Sequence, residues 1–165
     1  MRSVNLLFLI VLHALTATAA EVIVKEPVAK LAPTLLHLRE LCPGPGDYDA
    51  CTRFVAYRLE AACTPAAEAG WSMRTTATFT PWVFLYSVKS MTHELDHVSD
   101  VRATVHDRLS ELEALQFASQ ADCTARGIAE ENAFEGMIRE AVALSNAKRH
   151  PLLYGHPRAA SFTNR

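Results

Sequence analysis

Residues 87–116 have the sequence SVKSMTHELDHVSDVRATVHDRLSELEALQ, in which apolar residues recur every three or four positions. This spacing is typical of an α-helix that packs one face against a core. Drawn at ~100° per residue, one side of the helix carries an apolar stripe. The stripe consists of Met91, Leu95, Val98, Val105, Leu109 and Leu112. The pattern therefore predicts a long helix from about residue 87 to residue 116.

A second stretch with the same period follows from about residue 121 to residue 147, and Pro151 marks its end. Its predicted inner face consists of Ile128, Phe134, Met137, Ile138, Ala141 and Leu144. Only residues 117–120 separate the two helical stretches. Because so short a connection leaves little room for any other arrangement, we expect the two helices to pack antiparallel.

Two strands are predicted before the helices, over residues 51–62 and 71–80. Alternation places Cys51, Arg53, Val55, Tyr57 and Leu59 on one face of the first strand and Thr52, Phe54, Ala56, Arg58 and Glu60 on the other. Threonine and aromatic residues favour the second strand, and Pro81 is expected to end its pairing. Residues 21–25 read as an extended segment and residues 34–41 as a short helix. The predicted fold class is α+β, a small antiparallel sheet packed on two long antiparallel helices.

The first 20 residues are interpreted as a cleaved secretory signal. A basic start at residues 1–3, an apolar run at residues 4–15 and small residues at positions 17–20 form the expected three-part pattern. An uncleaved anchor is the alternative, but the apolar run is shorter than the ~20 residues that cross a bilayer. We therefore expect one exported domain over residues 21–157, periplasmic or extracellular, with no membrane span after cleavage and a flexible tail at residues 158–165.

Composition excludes some function classes. Among 165 residues, 50% are hydrophobic, and 16 Lys+Arg against 18 Asp+Glu give a net charge of -2. Intrinsic disorder requires lower hydrophobicity and higher charge, and no polybasic tract proposes a nucleic-acid partner.

The chain has four cysteines, an even number. In an exported protein they are expected to form disulfides, and we favour Cys42 with Cys51 and Cys63 with Cys123 among the three pairings that are open. A thiolate zinc site is the alternative, but no two cysteines have the close spacing of such sites.

The first predicted helix contains the motif His93-Glu94-Leu95-Asp96-His97. Residues four apart lie on one helix face, so two imidazoles can hold one metal ion while the intervening Glu94 reaches a water molecule. This motif predicts a zinc site in which His93 and His97 are ligands and Glu94 is the general base. The helix wheel places both histidines away from the apolar stripe, so the plain alternative is a solvated polar face. Asp100, on the same face, is expected either to accept a hydrogen bond from a ligating imidazole or to pair with Thr104 or Arg108.

A catalytic zinc ion normally has three protein ligands, so a third must come from elsewhere. Glu140 lies at the right height on the second helix, although at an unfavourable angle. His150 and His156 follow that helix, and the loop that begins at Pro151 could return either one to the metal.

The chain combines Pro81-Trp82, the H-E-x-x-H helix, Cys123, a second helix and a closing histidine. In this combination it resembles the bacterial secreted zincin-like domain family, a domain family of unknown function. That family belongs with the zinc-dependent metallopeptidases, so the resemblance implies a zincin-like fold. The family closes with Thr-x-His-Gly, and residues 154–157, Tyr-Gly-His-Pro, fall near that place with Tyr154 and Pro157 as departures. The resemblance thus implies His156 as the third ligand, with His150 as an alternative alignment.

From the motif and the resemblance we expect an exported zinc metallopeptidase that acts on a peptide or protein substrate. A non-catalytic, disulfide-bonded binding or structural domain that keeps the zincin scaffold is the alternative.

Overall fold

The computed structural model describes residues 20–43, 48–67 and 69–154. Almost all of the predicted signal, the predicted tail and His156 lie outside the described residues. The strands are β1 (Glu21–Val24), β2 (Val28–Leu31), β3 (Ala50–Pro65), β4 (Trp71–Leu85) and β5 (Gln116–Phe117). The helices are α1 (Leu35–Leu41), α2 (Met91–Glu113), α3 (Gln120–Arg149) and α4 (Pro151–Tyr154), and a single 3₁₀ turn, Val88–Ser90, leads into α2.

The five strands form one sheet in which β4 pairs with all of the others. β3 runs antiparallel to β4 along its whole length, as predicted, and β5 adds a short antiparallel pair. However, β1 and β2 pair with β4 in parallel, so the prediction of an antiparallel sheet was wrong and the sheet is mixed. The sequence did not indicate this, because two four-residue segments on either side of Pro27 carry no signal of the distant strand that they join.

Pro81 does not end β4, which continues to Leu85. The Phe79 carbonyl accepts from the Lys25 amide and the Leu85 carbonyl accepts from the Ala32 amide, on the edge of β4 that β1 and β2 occupy. Strand alternation turns Pro81 to this same edge, where β1 has ended and β2 has not begun. The missing amide therefore removes no hydrogen bond from the sheet.

A β-bulge in β3 changes the predicted division of its faces. The register with β4 shifts between Val55 and Arg58, and Ala56 within the bulge has a φ of 50°. One extra residue reverses the alternation of side chains. Phe54 on one side of the bulge and Tyr57 on the other therefore both reach the core, each through an edge-on aromatic contact.

Helices α2 and α3 cover one face of the sheet. The central core they enclose includes Phe79, Val101, Val105, Leu109, Phe134, Ile138 and Ala141, all buried. The inward face of α2 is rotated from the predicted stripe, since Leu95 is exposed while Glu94 and His97 are buried. Ile128 of α3, predicted to face inward, is also exposed.

The disulfides pair as predicted. Cys42–Cys51 joins the end of α1 to the start of β3, and Cys63–Cys123 joins the far end of β3 to the first turn of α3. Within the described part of the chain, no helix has the length and apolar character needed to cross a bilayer.

Candidate metal centre

The first two histidines of the site come from the beginning of α2 and the third from the end of α3. His93 and His97 lie one turn apart on α2. Because α3 returns antiparallel to α2, its last residues lie beside the first turns of α2. Helix α3 ends at Arg149 since Pro151 disfavours helical backbone in the residue before it. His150 accordingly leaves the helix, with φ -127° and ψ 56°, and its amide donates to the Asn146 carbonyl.

The three imidazoles converge on one point. The Nε2 atom of His150 lies 3.1 Å from that of His93 and 3.1 Å from that of His97, and the latter two are 3.3 Å apart. In a neutral imidazole a given nitrogen either donates or accepts, so three Nε2 atoms cannot satisfy one another in a triangle. Their convergence is the arrangement expected of three ligands to one metal ion, and the described residues contain no other grouping of this kind.

The spacing of these atoms fits a tetrahedral ion bound through nitrogen. Zinc–nitrogen distances of 2.0–2.1 Å place tetrahedral ligand atoms about 3.3 to 3.4 Å apart, close to the spacing here. Burial, together with the neighbouring His93 and His150, lowers the pKa of His97 to about 4, and burial also lowers the pKa of His150. Both shifts favour the neutral imidazole, which is the form that binds a metal.

A hydrogen-bonded chain fixes the orientation of His97. Its Nδ1 lies 2.8 Å from the Ser145 Oγ, and this hydroxyl donates to an Asp100 carboxylate oxygen at 3.3 Å. With Nδ1 donating to Ser145, the Nε2 lone pair is left for a metal. Asp100 was expected to accept from an imidazole or to pair with Thr104 or Arg108. Its carboxylate reaches His97 through Ser145, and the Thr104 hydroxyl donates to the Asp100 backbone carbonyl at 3.0 Å.

Two cations of α3 also bind the Asp100 carboxylate: Arg149 donates to the oxygen that accepts from Ser145, and Lys148 donates to the other oxygen. Lys148 Nζ donates to Asp100 at 2.7 Å, and Arg149 donates to Asp100 through Nε and to Asp96 through Nη1, at 2.9 Å for the latter. Burial alone would raise the pKa of Asp100, but the hydrogen bonds from Arg149 and Lys148 outweigh it, so that its pKa lies below 3.8.

The carboxylate of Glu94 is buried beside the histidines, with 4% of the residue exposed. The Thr52 hydroxyl, from β3, donates to its Oε2 at 2.8 Å. Burial raises the pKa of Glu94, while the hydrogen bond from Thr52 works in the opposite direction. The bulge at Ala56 allows Thr52 to face the helices although Leu59 and Cys63 of the same strand also do.

A cleft of about 250 Å³ opens next to these groups. Glu94, His97 and His150 line it, and so do both cysteines of the Cys42–Cys51 disulfide. The rest of the lining is mixed. It includes apolar side chains such as Leu41, Phe54, Val101 and Val142, and polar residues such as Arg53 and Asn146.

One border of the cleft is the outer edge of β3, since the five consecutive residues 50–54 line it. The Tyr86 amide donates to the Asp49 carbonyl, so odd-numbered residues at this end of β3 face β4. By alternation the backbone N–H and C=O groups of Thr52 and Phe54 point away from β4, along the cleft.

The carboxylate candidate for the third ligand is not brought to this place. Glu140 lines a separate groove between α2 and α3, with Thr104, Arg108 and Leu144. His156 lies outside the described residues. The structure therefore brings together His93, His97 and His150, the alternative that the sequence had left open.

Sequence reasoning did not find Thr52, Ser145 or Arg149. Ser145 follows Ile138 and Ala141 at helical spacing, so a hydroxyl on the buried face of α3 was the available signal. For Thr52 and Arg149 no signal was available, because their roles depend on which elements become neighbours.

The chain was also compared with known proteins: no family model matches it, and no curated protein or solved structure matches it either. Its resemblance to secreted zincin-like domains stays a prediction.

Proposed function

We propose that this protein is an exported zinc peptidase. The observation that carries the proposal is the convergence of three imidazole nitrogens beside a buried carboxylate, at the border of a cleft. Neutral imidazoles are ligands that suit zinc, and His93, His97 and His150 would hold it. When bound, a zinc ion supplies Lewis acidity, which lowers the pKa of water and polarises a carbonyl. The two disulfides are compatible with work outside the cytoplasm.

In this proposal Glu94 moves the proton. Its carboxylate takes a proton from the attacking water and delivers it to the leaving amine nitrogen, as a general base and then a general acid. Thr52 donates to one oxygen of the carboxylate and thereby fixes its rotation. Ser145 holds the tautomer of His97 whose Nε2 is free to bind the ion.

A peptide is the substrate that best fits the cleft. The outward backbone groups of Thr52 and Phe54 offer an extended chain a strand to pair with, directly beside Glu94. The apolar lining from Leu41, Phe54 and Val142 would receive an apolar side chain of that peptide. We therefore expect cleavage next to an aliphatic or aromatic residue.

The first test is metal content. The mature chain should hold about one zinc per molecule after reconstitution, measured by atomic emission, and His97→Ala and His150→Ala should lose it. His106→Ala is the matched control, because this partly exposed histidine of α2 does not belong to the cluster. Zinc that survives in His150→Ala would contradict the assignment of the third ligand.

The second test separates an enzyme from a non-catalytic metal domain. Glu94→Gln should lower peptide hydrolysis about 100-fold or more while zinc content stays at the wild-type level. Glu135→Gln, at an exposed position of α3, should leave both unchanged. If the zinc-loaded wild type cleaves no member of a peptide library with apolar residues, the alternative of a binding or structural domain is favoured.

A further inference from the structure

The last turn of α3 is tied to α2 by an arginine that bridges two carboxylates. Arg149 donates to Asp100 through Nε and to Asp96 through Nη1. Only 22% of the Arg149 side chain and 13% of the Asp100 side chain are exposed, so this contact is largely shielded from solvent. Both aspartates lie on α2: Asp96 is next to His97, and Asp100 lies about one turn beyond it.

The two sources of ligands differ in what fixes them. The spacing of His93 and His97 is set by α2 itself, because residues four apart lie on one face of a helix. His150 comes from another helix and lies beyond its last residue. Its distance from the other two imidazoles must therefore be set by contacts between α2 and the end of α3.

Apolar packing at this end is limited, although Val142 is partly buried against the core. Beyond Ala141, the buried residues of α3 are Ser145 and Ala147, whose side chains are small. The last turn of α3 is therefore linked to α2 mainly by polar contacts of Ser145, Lys148 and Arg149. Of the two cations, Arg149 is much less exposed than Lys148, it contacts two carboxylates, and it directly precedes His150.

We propose that Arg149 is a positioning residue for the metal site, holding His150 against His93 and His97 through Asp96 and Asp100. This inference rests on the proposed function, since it assumes that the three histidines bind zinc. Asp100 has two roles in this arrangement: it accepts a hydrogen bond from Arg149 and, through Ser145, it orients His97.

The experiment compares Arg149→Met with Arg139→Met in the mature chain. Both positions lie on α3, and Arg139 pairs with Glu135 on the surface. Zinc affinity is measured by competition with a chelator, and folding of the metal-free chains by thermal melting. We expect Arg149→Met to bind zinc about 10- to 100-fold more weakly, with Arg139→Met unchanged. Arg149→Lys should recover part of the affinity, since a single ammonium group keeps the charge but not the two-pronged contact.

A structural role alone would lower the melting temperature of the metal-free chain without a separate loss of affinity. Affinity within about twofold of wild type in folded Arg149→Met would overturn the inference. If Arg149→Met does not fold, Asp96→Asn decides, because the Asp96 side chain is half-exposed and the substitution removes the negative charge from one of the two contacts. Unchanged zinc affinity in Asp96→Asn then overturns the inference, and a several-fold loss supports it. Absence of zinc binding by the wild type would instead overturn the proposed function itself, and the inference with it.

Discussion

The two ends of the α2–α3 pair are built in different ways. At one end, where α2 begins and α3 finishes, three polar residues are buried: Glu94, His97 and Ser145. At the other end the buried side chains of α2 are mainly apolar, as with Leu109 and Leu112, although Thr75 is buried there against Glu113. A disulfide anchors α3 to the sheet at this end. Burying polar groups is unfavourable unless they are hydrogen-bonded, whereas burying apolar groups is favourable. One end of the helix pair therefore supplies stability, and the other, held by charges, carries the candidate chemistry.

Removing each disulfide in turn should give the largest difference between the two ends, in stability and in peptide hydrolysis. Cys63→Ala/Cys123→Ala opens a link between residues 60 apart, and loop-closure entropy gives a loss of about 4 kcal/mol. Cys42→Ala/Cys51→Ala opens a link between residues 9 apart, for which the same relation gives about 2.5 kcal/mol. Urea unfolding of the metal-free chains measures both. Only the second variant should alter peptide hydrolysis, because only that disulfide lines the cleft. A larger loss of stability from the shorter link would contradict this prediction.

A single apolar truncation should act at the stable end alone. Because Leu109 is fully buried, the Leu109→Ala variant should lose about 3 kcal/mol of unfolding free energy. Its zinc stoichiometry should stay at the wild-type value. His93→Ala should do the reverse, with zinc lost and little change in the stability of the metal-free chain. Leu115→Ala, at an exposed position, serves as the control. A Leu109→Ala chain that folds but binds no zinc would show that the two ends are coupled.

Acid should weaken the charged end first. Asp100→Asn is expected to lower stability by about 2 kcal/mol at pH 7, because hydrogen bonds from two cations to a carboxylate are lost. The pKa of Asp100 is lowered by folding, so its contribution is complete above 3.8 and disappears as the pH falls through the folded-state pKa. The difference between the unfolding free energies of wild type and Asp100→Asn, measured from pH 7 to pH 3, should therefore narrow below about pH 4. A constant difference across this range would be inconsistent with the ionised network.

The smallest effect concerns the bulge that separates the two ends of β3. At a φ of 50°, Ala56 has a conformation that favours glycine, so Ala56→Gly should raise stability by about 0.5 to 1 kcal/mol. Ala62→Gly, at an exposed position of the same strand, should lower it by a similar amount. Chemical denaturation of both variants provides the comparison. Equal changes of the same sign would show that the backbone of Ala56 is not strained.

The long helices and strands of this fold could be predicted from the sequence, but the residues by which they face the core could not. The helical period of residues 87–116 was sufficient to predict α2, and the four cysteines were sufficient to predict two disulfides. The helix wheel failed at Leu95, because it assumes that polar residues face solvent, while here Glu94 and His97 are turned inward by the site that they form. The motif likewise gave two histidines, but the third depended on where the chain leaves α3.

The central place of β4 also has a consequence for how the chain folds. Its partner β3 lies a short turn away, whereas Glu21 of β1 pairs with Thr76, far along the chain. Closing a short loop is faster and entropically less costly than closing a long one. Because the chain is made from its N-terminus, β1, β2 and β3 have no strand to pair with until β4, Trp71–Leu85, has been made. The β3–β4 hairpin should then form first, and the parallel strands should join in the slower, rate-limiting phase.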